Sequence, residues 1–411
     1  MCFFKLFIKY QFIKYQIKIF IVLDNRDARV YNRENPIYIK EFAMSNQPKT
    51  LAELDPNLAV NSQIKEADIV YYDVRNDPFR VYGLYNYKTE PVFRRIPQEL
   101  ANQVNEGVVW LSRHTAGGRV RFSSDSRYVA VHAVLPEPGK MSHMALTGST
   151  GFDLYVDDPD TGISRFYKSF TPPFDIQRGD ALSSILYFKS RKLRHFTIHF
   201  PLYSEVSTLH IGLQSDATVG EGMKYRDVAP FVCYGSSVTQ GGCASRPGNV
   251  YSNILSCRLG IDHINLGFSG SGCGEDNIVE YMAGLNMSAF ICDYDHNAPT
   301  VEHLKKTHER MYRTIRAAHP DIPYIMVSRV GCDPEAAETI AKRDVIYESY
   351  RHAIADGDQN VYFIDGQSVL GGIYENMCTV DSVHATDVGF ALMADAIGNE
   401  LKRALTQDLF C

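Results

Sequence analysis

The feature that most constrains the fold is an alternation of short apolar runs and helix-like segments in the C-terminal half of the chain. The apolar runs lie at 229–234, 262–267, 288–293, 323–328 and 361–365. Segments with helical periodicity separate and follow them, at 248–259, 275–285, 300–319, 335–356 and 387–405. Buried strands that alternate with helices on this scale are typical of a parallel sheet covered by helices on both faces. The pattern therefore predicts an α/β unit over 226–408.

A different periodicity governs the preceding half of the chain. Segments such as Arg119–Phe122 and His195–Phe200 alternate polar and apolar residues, and glycine- and proline-containing turns separate such runs. Many short strands at this spacing predict an antiparallel, jelly-roll-like β-sandwich over 50–218, with one short helix near 97–106. The polar segment Ser215–Asp227 is interpreted as the junction between the two domains.

The first 48 residues differ from both halves. The pentapeptide Phe-Ile-Lys-Tyr-Gln occurs twice in tandem, at 7–11 and 12–16, and no acidic residue precedes Asp24. Lysines interrupt the apolar residues, so neither a secretory signal nor a membrane span is predicted. Residues 1–48 are expected to be a disordered extension, with Met44 as a candidate start of the folded protein.

Composition limits the classes of partner and the compartment. The formal net charge of -6 argues against nucleic-acid binding, which favours a basic surface. The nine cysteines are an odd number and no two are spaced as Cys-x-x-Cys, so a disulfide framework is not expected. A reducing, cytoplasmic location and no stable membrane insertion are predicted.

Four polar clusters lie at the ends of predicted strands or beside the last helix. They are Gly235-Ser236-Ser237, Gly267–Gly270, Asp293–Asn297 and Asp381–His384. The carboxyl ends of parallel strands meet at one edge of a sheet, and ligands bind in the crevice there. Residues distant in sequence are therefore expected to meet at one site.

In order and spacing, these clusters resemble the four sequence blocks of the SGNH/GDSL hydrolases. Ser237 matches the serine of the first block, Gly270 the glycine of the second and Asn297 the asparagine of the third. Asp381 and His384 match the Asp-x-x-His of the last block. The resemblance implies a five-stranded, flavodoxin-like α/β/α hydrolase domain.

The resemblance extends to the β-sandwich and has several departures. Gly151–Tyr155 looks like the Gly-x-Asp-Leu-Tyr signature of a domain that precedes some of these hydrolases. Ser236 stands where the first block usually has Asp, and Ala298 and Ala385 also depart from the usual third and fourth blocks. No reacting group is lost, but the departures weaken any choice of substrate taken from the family.

The implied chemistry is acyl transfer. A serine hydroxyl needs a base within hydrogen-bond reach, and His384 is assigned that role for Ser237. Asp381 is expected to bind the other ring nitrogen and stabilise the imidazolium. The resemblance further implies an oxyanion hole formed by the backbone N–H groups of Ser237 and Gly270 and the amide of Asn297.

Other polar residues near these blocks have less chemical significance. Arg246 is a weak candidate for binding a polar substrate, with a solvated arginine as the alternative. Asp295 and His296 belong to no pattern of metal ligands, and Cys243 and Cys273 are interpreted as packing residues. No metal and no cofactor is therefore expected.

The sequence therefore predicts a serine esterase that cleaves short acyl esters, most simply O-acetyl groups on a carbohydrate. The partner would be a small-molecule or oligosaccharide ester, and the oligomeric state is left open. A lipase or thioesterase with the same residues, and a non-catalytic carbohydrate-binding protein, are the alternatives. Because the junction is short, we expect the β-sandwich to form one wall of the crevice.

Overall fold

The computed structural model describes residues 64–407, with side chains to residue 404, and three strands of the preceding segment. Those strands, β1 (Phe20–Asp24), β2 (Asp27–Tyr31) and β3 (Pro36–Ile37), form an antiparallel sheet within a separate unit, Met1–Ala59. These strands lie within residues 1–48, which were expected from the sequence to be a disordered extension. The remainder of that segment, including Met44, lies outside the described residues.

Two antiparallel sheets occupy the region from residue 69 to residue 221. The first has the strand order β10-β7-β12-β4 and the second the order β13-β6-β11-β8-β9, with β5 paired to β6. The strands are β4 (Ile69–Asp73), β5 (Arg80–Tyr82), β6 (Arg119–Ser124), β7 (Tyr128–Val134), β8 (Phe152–Asp157), β9 (Ser164–Phe170), β10 (Ala181–Tyr187), β11 (Arg194–His199), β12 (Thr208–Gln214) and β13 (Val219–Glu221).

One apolar core lies between these two sheets. Phe122, Phe152, Phe196 and Ile211 are fully buried in it, each from a strand whose alternate residues face the core. The antiparallel sandwich predicted from the period-two pattern is confirmed. The predicted junction Ser215–Asp227 contains β13, which pairs with β6 and so extends the second sheet.

The C-terminal region contains one parallel sheet with the order β15-β14-β16-β17-β18. Its strands are β14 (Phe231–Gly235), β15 (His263–Gly267), β16 (Ala289–Asp293), β17 (Tyr324–Val327) and β18 (Val361–Ile364). All four pairings are parallel, and each predicted run agrees with a strand to within two residues. The five-stranded α/β/α architecture is confirmed.

The helices of the described chain lie before, between and after these strands. They are α1 (Gln98–Val104), α2 (Glu106–Leu111), α3 (Leu146–Ser149), α4 (Ser237–Gln240), α5 (Tyr251–Leu259), α6 (Asp276–Ala283), α7 (Val301–Ala318), α8 (Ala337–Ala355), α9 (Gly366–Val369) and α10 (Asp387–Gln407), with 3₁₀ turns at Pro247–Asn249 and Glu375–Met377. None of these helices is both long enough and apolar enough to cross a bilayer.

Each face of the parallel sheet has its own apolar core. Phe231 and Cys233 of β14 pack on one face with α5 and α10, and Val232 and Tyr234 pack on the other with α6 and α7. Successive side chains of a strand point to opposite faces, so a strand buried on both faces is apolar throughout. This accounts for the continuous apolar runs in the sequence.

Buried arginines connect the sandwich to the parallel sheet. Arg95 donates hydrogen bonds to the carbonyls of Asn265, at 3.3 Å, and Gly267. Arg119 forms an ion pair with Asp262 and donates to the carbonyl of His263 at 3.2 Å. Burial lowers the pKa of Arg95 to about 9. Because a buried cation is costly without partners, these contacts favour a fixed arrangement of the two regions.

Candidate active site

A tight turn at the carboxyl end of β14 presents Ser237. Only glycine fits at position 235, since a Cβ atom there would lie 2.0 Å from Thr239 Oγ1 and 2.3 Å from the carbonyl oxygen of Asp293. The Ser236 hydroxyl caps α4 by accepting from the N–H of Val238 at 3.2 Å. Ser237 is therefore the first residue of α4, on a rigid strand-to-helix turn.

The structure brings Ser237, His384 and Asp381 into one hydrogen-bonded chain. Ser237 Oγ lies 2.9 Å from His384 Nε2, and His384 Nδ1 lies 2.8 Å from Asp381 Oδ2. These distances suit a neutral imidazole that donates from Nδ1 and accepts the serine proton at Nε2. A nucleophile, its base and the group that orients the base are thus in contact.

Asp381 remains a carboxylate over a wide pH range. Partial burial raises its pKa, but hydrogen bonds from the backbone N–H and ring of His384 and from the N–H of Val383 outweigh this effect. They lower the pKa of Asp381 to about 2. The charge needed to stabilise an imidazolium at His384 is therefore present at neutral pH.

The second and third clusters meet beside the first, in an arrangement the sequence did not predict. The N–H of Gly270 donates to Asn297 Oδ1 at 3.0 Å. Asn297 Nδ2 donates to the carbonyls of Phe268, at 2.8 Å, and Gly272, at 3.0 Å. In this conformation two of the three expected oxyanion donors are bonded within the protein, and Asn297 fixes the loop that carries Gly270.

Arg246, which the sequence offers as a weak candidate for binding a polar substrate, contacts the sandwich. Its guanidinium donates to Asp153 Oδ2 at 3.1 Å and to the Tyr155 hydroxyl, and it lies 3.8 Å from the centroid of Phe166. All three partners belong to β8 and β9 of the sandwich. Arg246 thus ties the loop after the nucleophile to the sandwich.

Asp153, the acidic residue of the Gly-x-Asp-Leu-Tyr segment, is the centre of this contact. It is fully buried and accepts hydrogen bonds from Arg246, from the backbone N–H of Gly248 at 2.8 Å and from His199 Nδ1 at 2.8 Å. A buried carboxylate with three donors is well compensated. The signature segment therefore serves to dock the sandwich on the nucleophile loop.

Two sandwich residues near the triad were missed from the sequence. The buried hydroxyl of Tyr203 donates to the Ser237 carbonyl at 3.2 Å. The exposed ring of His143 lies 5.7 Å from the ring of His384, measured between centroids. Both stand in irregular segments with no motif, so only the tertiary structure places them here. The sandwich thus contributes to the surface around the triad.

Cys243 also lies beside the triad histidine. Its backbone has a φ of 73°, in the left-handed region, and its side chain is largely buried. Burial and the neighbouring charge of Asp381 raise the pKa of the Cys243 thiol to about 11. Cys273 lies elsewhere, where its thiol donates to the Asn297 carbonyl at 3.4 Å.

A cavity of about 530 Å³ lies at the other edge of the parallel sheet, away from the triad. Pro230 and Asp262, which precede β14 and β15, line it together with Tyr85, Tyr87 and Tyr281. Ser237, His384 and Asp381 lie at the opposite, carboxyl edge of the sheet, so this cavity is not part of the candidate active site.

Comparison with protein families agrees with this architecture. Residues 228–402 match the GDSL-like lipase/acylhydrolase family, and residues 69–219 match the N-terminus of SGNH hydrolase-type esterases, named for Gly-x-Asp-Leu-Tyr. Fold and family together define a carboxylic ester hydrolase. The chain is an SGNH/GDSL-type hydrolase with an N-terminal β-sandwich of the Gly-x-Asp-Leu-Tyr type.

Solved structures share the fold over nearly their whole length. A GDSL-like lipase candidate from Bacteroides ovatus is 25% identical, with a TM-score of 0.73, over 82% of this chain and 98% of its own. A salicylyl-acyltransferase from a tetracycline biosynthetic pathway is 16% identical, with a TM-score of 0.64, over 84% and 98% of the two chains.

A third solved structure has a lower similarity. The acetyl xylan esterase Est2A from Butyrivibrio proteoclasticus is 12% identical, with a TM-score of 0.51, over 83% of this chain and 99% of its own. At such identities the last two structures establish the shared fold. A search of curated proteins found no significant match.

Proposed function

We propose that this esterase hydrolyses short acyl esters, specifically O-acetyl groups on a carbohydrate, with Ser237 as nucleophile. The observation that carries the assignment is the hydrogen-bonded chain from Ser237 through His384 to Asp381. The side chains of His384 and Asp381 are 24% and 41% exposed, so an ester can approach the chain from solvent.

In the first half of the reaction, Ser237 Oγ attacks the ester carbonyl and its proton passes to His384 Nε2. The Asp381 carboxylate stabilises the resulting imidazolium through Nδ1–H. His384 then gives the proton to the leaving sugar oxygen, and the acyl group stays on Ser237. Water, deprotonated by the same imidazole, releases the acid and restores the serine.

The oxyanion formed in both steps needs N–H donors. The backbone N–H of Ser237, in the first turn of α4, is one. We propose that the N–H of Gly270 is the second, once the substrate oxygen replaces Asn297 Oδ1 as its acceptor. Asn297 then either turns its amide to the oxyanion or holds the loop in place; both roles make it necessary for full activity.

The two regions have different roles in the proposed reaction. We assign residues 226–408 as the hydrolase domain and 50–218 as a sandwich domain that helps to select the alcohol part of the ester. His143 is the sandwich side chain closest to this role, because its exposed ring stands beside His384. The carbohydrate part of the proposal is supported by the shared fold with an acetyl xylan esterase.

Acyl chain length and acceptor can be tested with one substrate panel. We expect the ratio kcat/KM to be highest for p-nitrophenyl acetate and to fall with longer acyl chains, and acetylated xylo-oligosaccharides to be deacetylated. A preference for long acyl chains or thioesters would indicate a lipase or thioesterase instead. Binding of the oligosaccharide without turnover would indicate a binding protein. Faster acyl transfer to an added alcohol than to water would indicate an acyltransferase.

The role of the sandwich can be tested with His143→Ala. We expect a larger fall in kcat/KM for acetylated oligosaccharides than for p-nitrophenyl acetate, since the latter has no bulky sugar to contact the wall. His195→Ala, on β11 and away from the triad, is the matched control. Equal effects of His143→Ala on both substrates would contradict a role in selecting the alcohol.

A further inference from the structure

Three side chains at the triad form a cluster suited to a metal ion. The ligand atoms of His143, Cys243 and His384 all lie within 4.8 Å of one another. His143 comes from the sandwich, and the other two come from different loops of the hydrolase region. The positive φ of Cys243 and the burial of its side chain fix the thiol, whereas the exposed His143 is free to adjust.

The chemistry of this donor set selects the class of ion. Two imidazoles and a thiolate suit Zn²⁺ and other borderline or soft divalent ions, whereas Mg²⁺ and Ca²⁺ require oxygen ligands. Tetrahedral zinc with bonds of ~2.0–2.3 Å places its ligand atoms ~3.3–3.8 Å apart. The limit of 4.8 Å on the present separations exceeds this spacing by about 1.0–1.5 Å, so adjustments of that order in the His143 and His384 side chains bring the cluster to that geometry, with the fourth position left for water.

We infer that His143, Cys243 and His384 form an inhibitory binding site for a thiophilic divalent cation such as Zn²⁺. Binding releases the proton of the Cys243 thiol to solvent and forms a metal–sulfur bond and two metal–nitrogen bonds. Both ring nitrogens of His384 are already used, one by Ser237 and one by Asp381. Coordination through either nitrogen breaks the triad, so the ion switches the esterase off. No electron is transferred, and removal of the ion restores the resting state.

The effect on activity rests on the proposed function, so binding must be measured separately. Zn²⁺ is titrated in a metal-buffered solution into the wild type, and bound metal is measured by calorimetry while hydrolysis of p-nitrophenyl acetate is followed in parallel. We expect one Zn²⁺ per chain at the affinity that inhibits, full recovery on addition of EDTA, and no effect of Mg²⁺. The inhibition constant and the dissociation constant should agree.

Cys243→Ser distinguishes this site from zinc bound elsewhere. It should keep the basal rate, because the thiol takes no part in the triad, and should bind and be inhibited by Zn²⁺ at least tenfold more weakly. His143→Asn should weaken binding similarly, relative to its own basal rate. The matched control is Cys332→Ser. Cys332 also lies near a histidine, with its Sγ 3.9 Å from the Nδ1 of His296, but belongs to no cluster of three possible ligands among the described residues.

The outcomes separate the two proposals. If Cys243→Ser binds Zn²⁺ as tightly as the wild type, or the wild type binds none at one per chain, the metal site is wrong. If binding depends on Cys243 and His143 but no ester is hydrolysed by the metal-free wild type, the metal site stands and the proposed function fails. Stoichiometric binding that depends on Cys243 without inhibition would show that the ion does not engage His384, and would overturn the inhibitory role.

Discussion

Two histidine–aspartate pairs in the described part of the chain have the same distance between the bonded atoms. His384 Nδ1 lies 2.8 Å from Asp381 Oδ2, and His199 Nδ1 lies 2.8 Å from Asp153 Oδ1. The side chains of the first pair are 24% and 41% exposed, whereas those of the second are 2% and 0% exposed. The pairs thus share their geometry and differ in their surroundings.

The third partner of each pair also differs. The first imidazole accepts from the hydroxyl of Ser237, whereas no hydroxyl is bonded to Nε2 of His199 among residues 64–404. The second pair instead meets Arg246 and the edge of the Tyr155 ring, 4.9 Å from His199 between centroids. A histidine–aspartate contact therefore indicates catalysis only where a nucleophile and access to solvent accompany it.

The largest effect is expected from removing the hydroxyl of Ser237, which is bonded to the exposed His384–Asp381 pair. Ser237→Ala should lower kcat by a factor on the order of 10⁶ while leaving the melting temperature nearly unchanged, because it removes only the attacking hydroxyl. Ser236→Ala is the matched control and should keep substantial activity, with a stability cost of ~1 kcal/mol from the lost helix cap. If Ser236→Ala were inactive and Ser237→Ala active, the block alignment would be off by one residue.

The same substitution in each pair should have opposite consequences. Asp381→Asn should lower kcat by ~10⁴ through the loss of imidazolium stabilisation, with little change in melting temperature since this carboxylate is exposed. Steady-state kinetics and thermal unfolding of the purified variant check both statements. Normal activity in Asp381→Asn would remove Asp381 from the mechanism.

Asp153→Asn should instead destabilise the protein with little direct effect on chemistry. The asparagine amide would place its NH₂ against at least one of the three N–H groups from which Asp153 now accepts hydrogen bonds. The cationic Arg246 would also lose its counter-charge. Breaking a buried ion pair costs ~3–5 kcal/mol, equivalent to a melting temperature roughly 5–10 °C lower. The folded fraction should keep a kcat within about tenfold of the wild type. A large fall in kcat at full stability would contradict a structural role.

The smallest expected effect concerns acid stability. The pKa of Asp381 is about 2 in the folded protein, below the ~3.9 of an unfolded aspartate. Its hydrogen bonds therefore contribute stability above pH ~4, and this contribution is lost as the pH falls towards 2. The melting temperature of the wild type should thus decline relative to that of Asp381→Asn between pH 5 and pH 3. A difference that is constant with pH would contradict the lowered pKa.

Much of the fold could be predicted because it depends on local patterns. Alternation of apolar and polar residues marked the strands of the sandwich, and the five apolar runs agree with the five parallel strands. The short strand Val219–Glu221 could not be predicted, since its three residues are too few to show a periodicity and it exists through its pairing with β6. A short segment that becomes a strand only by pairing with a distant strand has no pattern in its own sequence that predicts a strand.

The candidate site divides in the same way. The sequence predicted three catalytic residues from their places near predicted strands and from the block pattern, namely Ser237, Asp381 and His384. The structure brings all three into contact. The contacts of Arg246 could not be predicted, since nothing in its local sequence shows that Asp153 and Tyr155 of a distant strand surround it. The hydrogen bond from the Gly270 N–H to Asn297 Oδ1 likewise could not be predicted from the sequence.

The sequence by itself thus determined the five parallel strands, the main helices between them and the nucleophile turn, because periodicity and glycine requirements act over a few residues. The tertiary structure alone decided which polar groups meet. It placed His143 and Tyr203 of the sandwich beside the triad. It also left the His384–Asp381 pair accessible to solvent and buried the His199–Asp153 pair. Burial, hydrogen-bond partners and charge compensation are properties of neighbours in space, and the chain brings together neighbours that are more than a hundred residues apart in sequence.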